Sequence, residues 1–258
     1  YVMVQTSGST GNPKSMKANK QQMISSASIT CSYLSLKRGD SALLCMPLKY
    51  IAGKMMVVRA MVAEFNLMVI EPCSHPLKGI ESHIDFAAMI PMQVICSLGV
   101  SQEKESLAKL SNLIIGGGAI DTELAKSLED LPGNIYSTYG MTETLSHIAL
   151  RKLNGDDKSE YYTPFPTVSL SLSKENTLII EAPLVCDKKL ITNDIVELLP
   201  NGQFKIMGRK DNTINSGGIK IQAETVEAKL STRINIPFAI TSIPDKTLGE
   251  AVALVIEQ

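Results

Sequence analysis

Short, β-rich apolar runs alternate with helix-like stretches over the first 140 residues of the chain. The runs are YVMVQ, SALLCMP, NLMVIEP, NLIIGGG and NIYSTYG. Helix-like stretches extend from Lys20 to Leu36, from near Gly53, and over DTELAKSLED, where Asp121 is placed to cap the amino end. This alternation predicts an α/β fold with a mostly parallel sheet flanked by helices, and ligands of such sheets gather at the carboxyl ends of the strands.

The pattern changes after about residue 160. VSLSLSKENTLIIEAP and DIVELLPNGQFKIMGR alternate polar and apolar residues with period two, and Asn201-Gly202 is a strong hairpin signal, so this part predicts an antiparallel β subdomain. GRKDNTINSGG interrupts the alternation, and AETVEAKLST resumes as a helix. We therefore predict a large amino-terminal domain over residues 1–210 and the start of a small α+β domain over residues 211–258.

Composition limits the partners that the chain can have. Lys and Arg number 25 against 26 Asp and Glu, so no positive field favours nucleic acid. The longest apolar stretch, residues 55–70, contains Arg59, Glu64 and Asn66, which argues against membrane insertion. The five cysteines are scattered without a C-x-x-C pair, which predicts reduced thiols in a cytoplasmic protein. The oligomeric state stays open, and a homodimer is one alternative.

The segment TSGSTGNPKS, residues 6–15, looks built to bind phosphate. Its hydroxyl, glycine and lysine residues follow one predicted strand and precede a predicted helix, and such groups can hold a polyphosphate. They are Thr6, Ser7, Gly8, Ser9, Thr10, Gly11 and Lys14. The segment is not the G-x-x-x-x-G-K-[ST] loop, because Pro13 stands where that loop has its second glycine and has no N–H to donate. A flexible Ser/Gly linker is the alternative.

Two later strand ends add candidate binding groups. IIGGGA places Gly116, Gly117 and Gly118 where only backbone can line a site, which suits a flat ring, although a tight packing turn would look the same. YSTYGMTET ends a strand with an aromatic face, a hydroxyl and a carboxylate. The residues are Tyr139, Gly140, Thr142 and Glu143. They suit a base, a phosphate and a magnesium ion, which needs only one or two carboxylates.

Six motifs occur in the order and approximate spacing of the acyl-adenylate-forming (ANL) enzymes: TSGSTGNPK, GGGA, YGMTE, TND, GRKD and SGGIKIQAETVE. The chain therefore resembles this superfamily, which contains acyl-CoA synthetases, the adenylation domains of peptide synthetases, and luciferases. The resemblance covers essentially the whole chain and implies an ANL-type adenylating fold. It also implies a ligase that joins a small carboxylic acid to the AMP part of ATP, releases pyrophosphate and passes the acyl group to the thiol of CoA.

The resemblance implies roles for the residues of the large domain. The loop from Thr6 to Lys14 would hold the β- and γ-phosphates, while Gly116–Gly118 and Tyr139 would flank the adenine, with Gly140 beside them. Thr142 would contact the α-phosphate and the acyl carboxylate, and Glu143 would orient Mg²⁺. The implied catalytic residues are Lys14, Thr142 and Glu143.

The resemblance also implies roles for residues near the predicted domain boundary. Asp194 would accept the ribose hydroxyls, and Arg209 would reach the ribose or a phosphate. Asp211 matches the hinge on which the small domain turns, and Gly217 and Gly218 match the stretch that lines the CoA channel. The chain has Thr192-Asn193-Asp194 where the family usually has T-G-D. Because asparagine tolerates a positive φ, we expect that turn to survive.

Two expectations concern the ends of the chain. The family's C-terminal lysine, which bridges the α-phosphate and the acyl carboxylate, has no match in these 258 residues. Both ends also read as strands already under way. We therefore expect a fragment truncated at both ends that adenylates very poorly by itself.

The stretch MPLKYIAGKMMVVRAM matches the part of the family that lines the acyl pocket, and it carries Tyr50, Lys54 and Arg59. An Arg inside an apolar helix is costly unless it is paired. It could pair with Glu64 or extend to solvent, or it could recognise a second carboxylate on the substrate. Ser146 and His147 could line the same pocket.

Within the superfamily, this layout most resembles the o-succinylbenzoate–CoA ligases of menaquinone biosynthesis, whose substrate is an aromatic dicarboxylate. Two alternatives stay open. One is a general acyl- or aryl-CoA synthetase or a carrier-protein adenylation domain. The other is a nucleotide-binding protein that has lost catalysis.

Overall fold

A computed structural model of the chain describes residues 1–5, 15–234 and 236–257. They divide into two units, Tyr1–Val168 with Ala182–Lys188, and Ser169–Glu181 with Lys189–Gln258. The strands of the first unit are β1 Val2–Gln5, β2 Ser15–Ala18, β3 Ser41–Leu44, β4 Asn66–Val69, β5 Ile84–Met89, β6 Leu110–Ile115, β7 Asn134–Gly140, β8 His147–Lys152 and β9 Thr163–Pro164. Its helices are α1 Lys20–Tyr33, α2 Ile51–Ala63, α3 Pro91–Leu98, α4 Ser101–Leu107 and α5 Thr122–Leu128.

A seven-stranded sheet forms the centre of the first unit, in the order β4-β3-β5-β6-β7-β8-β9. The first five strands are parallel, and β8 and β9 run antiparallel to their neighbours. Strands β5 and β6 are buried along nearly their whole length, as strands covered on both faces must be. The predicted mostly parallel sheet is confirmed.

Alternate side chains of the central strands enter two separate cores, because successive residues of a strand point to opposite faces. Leu113 and Ile115 of β6 pack with residues of α3, α4 and α5, whereas Ile114 packs with residues of α1 and α2. The helices therefore flank both faces of the sheet and leave the carboxyl ends of the strands to the loops. None of the described helices is long and apolar enough to cross a bilayer.

Side-chain caps start two of these helices. The Asn19 side chain accepts a hydrogen bond of 2.9 Å from the Gln21 N–H where α1 begins. The Asp121 carboxylate accepts one of 2.7 Å from the Leu124 N–H where α5 begins. The predicted Asp121 cap is confirmed, since an oxygen at this position satisfies an N–H that has no partner inside the helix.

The amino-terminal strand does not join the main sheet. β1 pairs with β2 in an antiparallel hairpin, in which Gln5 lies opposite Ser15. The predicted helix from Lys20 is confirmed, since α1 begins at that residue, but β2, which lies between the phosphate-binding segment and α1, was not predicted. Strands β5 and β8 were also not predicted, and β8 carries His147.

Two antiparallel sheets make up the second unit, ordered β10-β11-β12-β13 and β15-β14-β17-β16. The elements are β10 Ser169–Leu172, β11 Thr177–Glu181, β12 Leu190–Leu198, β13 Phe204–Arg209, β14 Thr213–Ser216, β15 Ile219–Gln222, α6 Ala223–Leu230, β16 Phe238–Asp245 and β17 Gly249–Ile256. β12 and β13 form the predicted hairpin, and Gly202 has φ 84° in its turn. Helix α6 packs on the second sheet through Ala223, beside Ile214 and Ile240. The predicted domain boundary after residue 210 lies inside this unit and stays a prediction.

Candidate functional site

A pocket of about 220 Å³ opens at the carboxyl ends of β5, β6 and β7 in the first unit. Its wall contains eight of the residues that the sequence analysis singled out: Tyr50, Arg59, Gly116, Gly117, Gly140, Thr142, Ser146 and His147. The rest of the wall is mostly apolar and includes Met46, Ile51, Met89 and Ile114. Parallel strands thus bring together motif residues that lie far apart in the sequence, at the edge where such sheets bind ligands.

Two glycines at the pocket wall lie too close to neighbouring atoms to carry a side chain. A Cβ on Gly116 would lie 2.4 Å from Thr138 Oγ1, and one on Gly140 would lie 2.3 Å from the Ser146 carbonyl oxygen. Gly117 has φ 80°, a value that residues with a side chain rarely adopt. Backbone therefore forms this part of the wall, as the sequence predicted.

A one-turn 3-10 helix, Thr142–Thr144, follows β7 and carries the central motif. Thr142 is half-buried on the pocket wall, and Glu143 is exposed. The buried Thr144 hydroxyl accepts from the Met141 N–H at 3.0 Å and lies 2.8 Å from the Ser146 carbonyl oxygen, so it closes the turn. The sequence analysis missed Thr144, although a Thr inside the motif was a signal for it.

The donor set at this turn fits magnesium. Within the described part of the chain, no group of three or more His, Cys, Asp or Glu could hold a metal ion. The Glu143 carboxylate is exposed and makes no ion pair with a described residue. Magnesium prefers oxygen ligands and keeps several waters, so one carboxylate with phosphate oxygens of a bound nucleotide suffices.

Arg59 is buried on α2 and is only 2% exposed. Neither structural alternative for it holds, because Glu64 pairs with Arg38 at 3.0 Å and the guanidinium does not reach solvent. Its Nη2 donates to Ser146 Oγ at 2.6 Å, Nη1 meets the Met56 sulfur at 3.9 Å, and Nε has no hydrogen-bond partner among the described residues. Burial lowers the pKa of Arg59 to about 10, which leaves it charged at neutral pH.

His147 lies next to this guanidinium and is also buried. Its Nδ1 is 3.1 Å from Ser146 Oγ, and its Nε2 is 3.1 Å from Thr30 Oγ1 on α1. Burial, and then the charge of Arg59, hold the pKa of His147 well below its ordinary value, so the ring is neutral at pH 7. Arg59, Ser146 and His147 are thus brought together as predicted, and Thr30 is an addition that only the fold reveals.

Other predicted site residues of this unit lie elsewhere. Tyr139 is buried and packs on Tyr162, with 5.9 Å between the ring centroids, and it does not line the pocket. The Lys54 ammonium bonds the Leu48 carbonyl oxygen, away from the pocket wall. Gly118 lies against Pro91. The proposed ligand contacts of Tyr139, Lys54 and Gly118 stay predictions without support from this geometry.

The phosphate-binding segment lies outside the described residues, from Thr6 to Lys14. All seven of its predicted ligand residues fall there: Thr6, Ser7, Gly8, Ser9, Thr10, Gly11 and Lys14. The described residues on either side, Gln5 and Ser15, face each other in the β1–β2 hairpin.

In the second unit, Arg209 joins two of the predicted residues. Its Nη1 donates to Asp194 at 3.1 Å, and its Nε and Nη2 donate to Asp211 at 3.0 and 2.8 Å. The hydrogen bond from Arg209 is the largest cause that holds the pKa of Asp211 below its ordinary value. The turn expected at 192–194 is wrong: these residues lie within β12, and Asn193 does not have a positive φ.

Gly217 and Gly218 form the turn between β14 and β15, in which Ser216 faces Ile219. Both glycines have a positive φ, 58° and 83°. This is the arrangement of a two-residue hairpin turn that matches the twist of its strands. Their predicted place beside the CoA channel stays a prediction.

Comparison with known proteins identifies the family of the chain. The family model described as "AMP-binding enzyme" matches residues 1–180 of the chain. The chain belongs to the AMP-binding enzyme family. It is therefore a member of the adenylate-forming superfamily to which its motifs pointed.

Several relatives within the AMP-binding enzyme family are 2-succinylbenzoate–CoA ligases. The one from Haemophilus influenzae is 27% identical over 88% of this chain and 52% of its own length. The one from Escherichia coli is 26% identical over 99% of this chain and 58% of its own length. The chain thus spans a little over half the length of these relatives.

Solved structures agree on the fold. An acyl-CoA synthetase (AMP-forming)/AMP-acid ligase II-like protein from Dyadobacter fermentans is 37% identical with a TM-score of 0.77, covering 100% of this chain and 75% of that one. E. coli MenE with a bound m-phenylether-linked analogue of OSB-AMS is 25% identical with a TM-score of 0.79, covering 99% of this chain and 58% of that one.

Proposed function

We propose that this chain carries the adenylating part of a cytoplasmic, ATP- and CoA-dependent ligase that acts on o-succinylbenzoate in menaquinone biosynthesis. The observation that carries the choice of acid is Arg59. It is a charged, buried guanidinium on the wall of the same pocket as Thr142, and no described carboxylate pairs with it. A second carboxylate on the substrate would supply the missing partner, and Arg with carboxylate forms strong, directional hydrogen bonds.

The names of the relatives point to the same acid. Several are 2-succinylbenzoate–CoA ligases, and an aromatic keto diacid suits a pocket whose described wall is mostly apolar and carries the Arg59 guanidinium. A short aliphatic acid would leave the Arg59 charge buried and unpaired, which is costly.

The proposed reaction has two steps. One carboxylate of the acid attacks the α-phosphorus of ATP and pyrophosphate leaves, and the CoA thiolate then attacks the acyl carbon and displaces AMP. Arg59 would hold the other carboxylate, so that the reacting one lies at the Thr142 end of the pocket. The Thr142 hydroxyl would donate to the α-phosphate or the acyl oxygen, and Gly116 and Gly117 would leave room for the flat adenine.

Phosphoryl-type transfer depends on positioning and on neutralising the charge that develops. Bound Mg²⁺ would neutralise part of that negative charge, and the Glu143 carboxylate would hold the ion. We propose that Lys14 and the hydroxyls of its loop hold the leaving pyrophosphate, and that Asp194 and Arg209 bind the ribose. For the second step, we propose that the small domain turns at Asp211.

The test is a panel of acids assayed with the complete protein that the gene encodes, ATP, Mg²⁺ and CoA. ATP–pyrophosphate exchange measures the first step, and acyl-CoA formation measures both. The key comparison is o-succinylbenzoate with benzoylpropionate, which lacks only the ring carboxylate. We expect kcat/KM to be about 10- to 150-fold higher for the diacid, the value of one charge-assisted hydrogen-bonded contact.

Other outcomes would select another function. Equal activity with both acids, or product from benzoate or a fatty acid alone, would refute o-succinylbenzoate and favour a general acyl- or aryl-CoA synthetase. Exchange without any acyl-CoA product would favour a carrier-protein adenylation domain. ATP binding without exchange for any acid would favour a protein that has lost catalysis.

A further inference from the structure

The imidazole of His147 has both nitrogens engaged by protein side chains. Nδ1 lies 3.1 Å from Ser146 Oγ, and Nε2 lies 3.1 Å from Thr30 Oγ1. A neutral imidazole has one donor and one acceptor, so both are used and no ring nitrogen is left to contact the acid. His147 can therefore influence acid binding only through its neighbours.

The hydrogen positions along this chain of contacts follow from its first member. Arg59 can only donate, so Ser146 Oγ accepts from it at 2.6 Å. A hydroxyl that accepts from a cation becomes a stronger donor, so Ser146 gives its single hydrogen to Nδ1 of His147. The Nε2–H then donates to Thr30, whose hydroxyl donates to the Ser26 carbonyl at 3.1 Å. In every hydrogen bond of this series, the donor is therefore the group on the Arg59 side.

We propose that His147 is a positioning residue for acid specificity. By accepting the Ser146 hydrogen, it directs a lone pair of that hydroxyl at Arg59 and holds the guanidinium in place for the second carboxylate. The identity of the acid rests on the proposed function, whereas the network does not.

Two further contacts favour this role. Within the described residues, the guanidinium has one hydrogen-bond acceptor besides Ser146, the Met56 sulfur at 3.9 Å, and a thioether sulfur is a weak acceptor. Without an oriented Ser146 hydroxyl, little would fix the orientation of the Arg59 guanidinium. The His147 ring also packs on Phe165, with 5.5 Å between ring centroids, so it is itself held in place.

Two substitutions separate the two ring nitrogens. Asn places an amide oxygen near the position of Nδ1, and Gln places its amide near Nε2. We expect H147Q to raise the ratio of the KM for o-succinylbenzoate to the KM for benzoylpropionate about tenfold, since the Ser146 acceptor is lost. H147N should rescue the diacid KM to within about threefold of the wild type.

The variants are first compared for cooperative thermal unfolding. Equal rises for H147Q and H147N, or equal rises for both acids, would overturn the proposal, because a merely structural role acts without such selectivity. In an S146A background, H147Q should give no further rise in the diacid KM. A further tenfold rise there would likewise overturn it.

A second measurement needs neither substrate nor an active enzyme. The 258-residue chain has three histidines, so ¹⁵N-histidine spectra at pH 7 are simple, and H147N assigns the His147 signals by their loss. We expect the neutral Nε2–H tautomer. The Nδ1–H tautomer or an imidazolium would overturn the proposed hydrogen-bond network. A wild-type enzyme without preference for the diacid would overturn the proposed function, and the observed tautomer would then still test the hydrogen-bond network.

Discussion

Replacing Arg59 by Met should make the protein more stable and remove its selectivity for a diacid. Met has a similar volume and is a good helix former, so α2 and its packing should survive. The change removes a buried charge that has no described carboxylate partner. Stability and activity are therefore expected to move in opposite directions, which a residue with a structural role would not do.

The size of the effect follows from the burial. A fall in the pKa of Arg59 to about 10 corresponds to a cost of roughly 3 kcal/mol for keeping the folded guanidinium charged. The hydrogen bond to Ser146 offsets about 1.5 kcal/mol of this. We expect R59M to raise the free energy of unfolding by about 1–2 kcal/mol, or Tm by about 2–8 °C.

The assay combines thermal unfolding with acyl-CoA formation, and R38M is the matched control. Arg38 pairs with Glu64 on the surface, where the two side chains are 82% and 60% exposed, so its loss should change stability by less than about 0.5 kcal/mol. R59M should also lose about 10- to 150-fold in kcat/KM for o-succinylbenzoate and much less for benzoylpropionate.

A clear destabilisation by R59M would refute this reasoning. It would mean that the Arg59 guanidinium stabilises the fold through partners that offset the cost of its burial. The guanidinium would then not be available to bind a substrate carboxylate. Unchanged selectivity between the diacid and the mono-acid would refute the functional half separately, whatever the stability shows.

Three further predictions concern the same pocket. E143Q should leave Tm unchanged, since the side chain is exposed, and should raise the Mg²⁺ concentration for half-maximal exchange at least about tenfold; an unchanged requirement would remove Glu143 from the metal site. G116A should lower Tm because its Cβ would lie 2.4 Å from Thr138 Oγ1, and T138A in the same chain should restore most of the loss; no restoration would contradict the contact. The pKa of His147 is depressed in the folded protein, so the unfolded chain binds the extra proton first and the free energy of unfolding falls as pH drops below the unfolded pKa. Relative to H147N, the wild type should lose up to about 1.4 kcal/mol of unfolding free energy between pH 7.5 and pH 5.5, measured by denaturant unfolding. If the two proteins lost the same free energy over this range, the folded ring would titrate normally.

Local signals in the sequence were reliable where the interaction they describe is itself local. The Asp121 cap joins residues three apart, and the Asn201-Gly202 turn sets a hairpin whose strands follow directly on either side. Strand–helix alternation likewise predicted the parallel sheet, because a parallel connection needs a crossover. The order of strand-end motifs then placed Gly116, Gly140 and Thr142 at one edge.

Local reasoning failed where a partner distant in sequence decides the outcome. The segment after residue 14 forms β2 because β1 lies beside it, and 192–194 stays extended because β11 and β13 lie on either side of β12. No local signal announces the β1–β2 pairing or the β11–β12 pairing, and a turn propensity yields to a strand that has neighbours on both edges.

The sequence by itself determined that this chain is an adenylate-forming enzyme by family and that Arg59 is out of place in an apolar helix. Only the tertiary structure decided what that Arg does. Its contact with Ser146 spans 87 residues of sequence, and the Thr30–His147 contact spans 117. Whether a buried charge is paired depends on which side chains folding brings within hydrogen-bond distance, and that is a property of the packed core rather than of any segment of the chain.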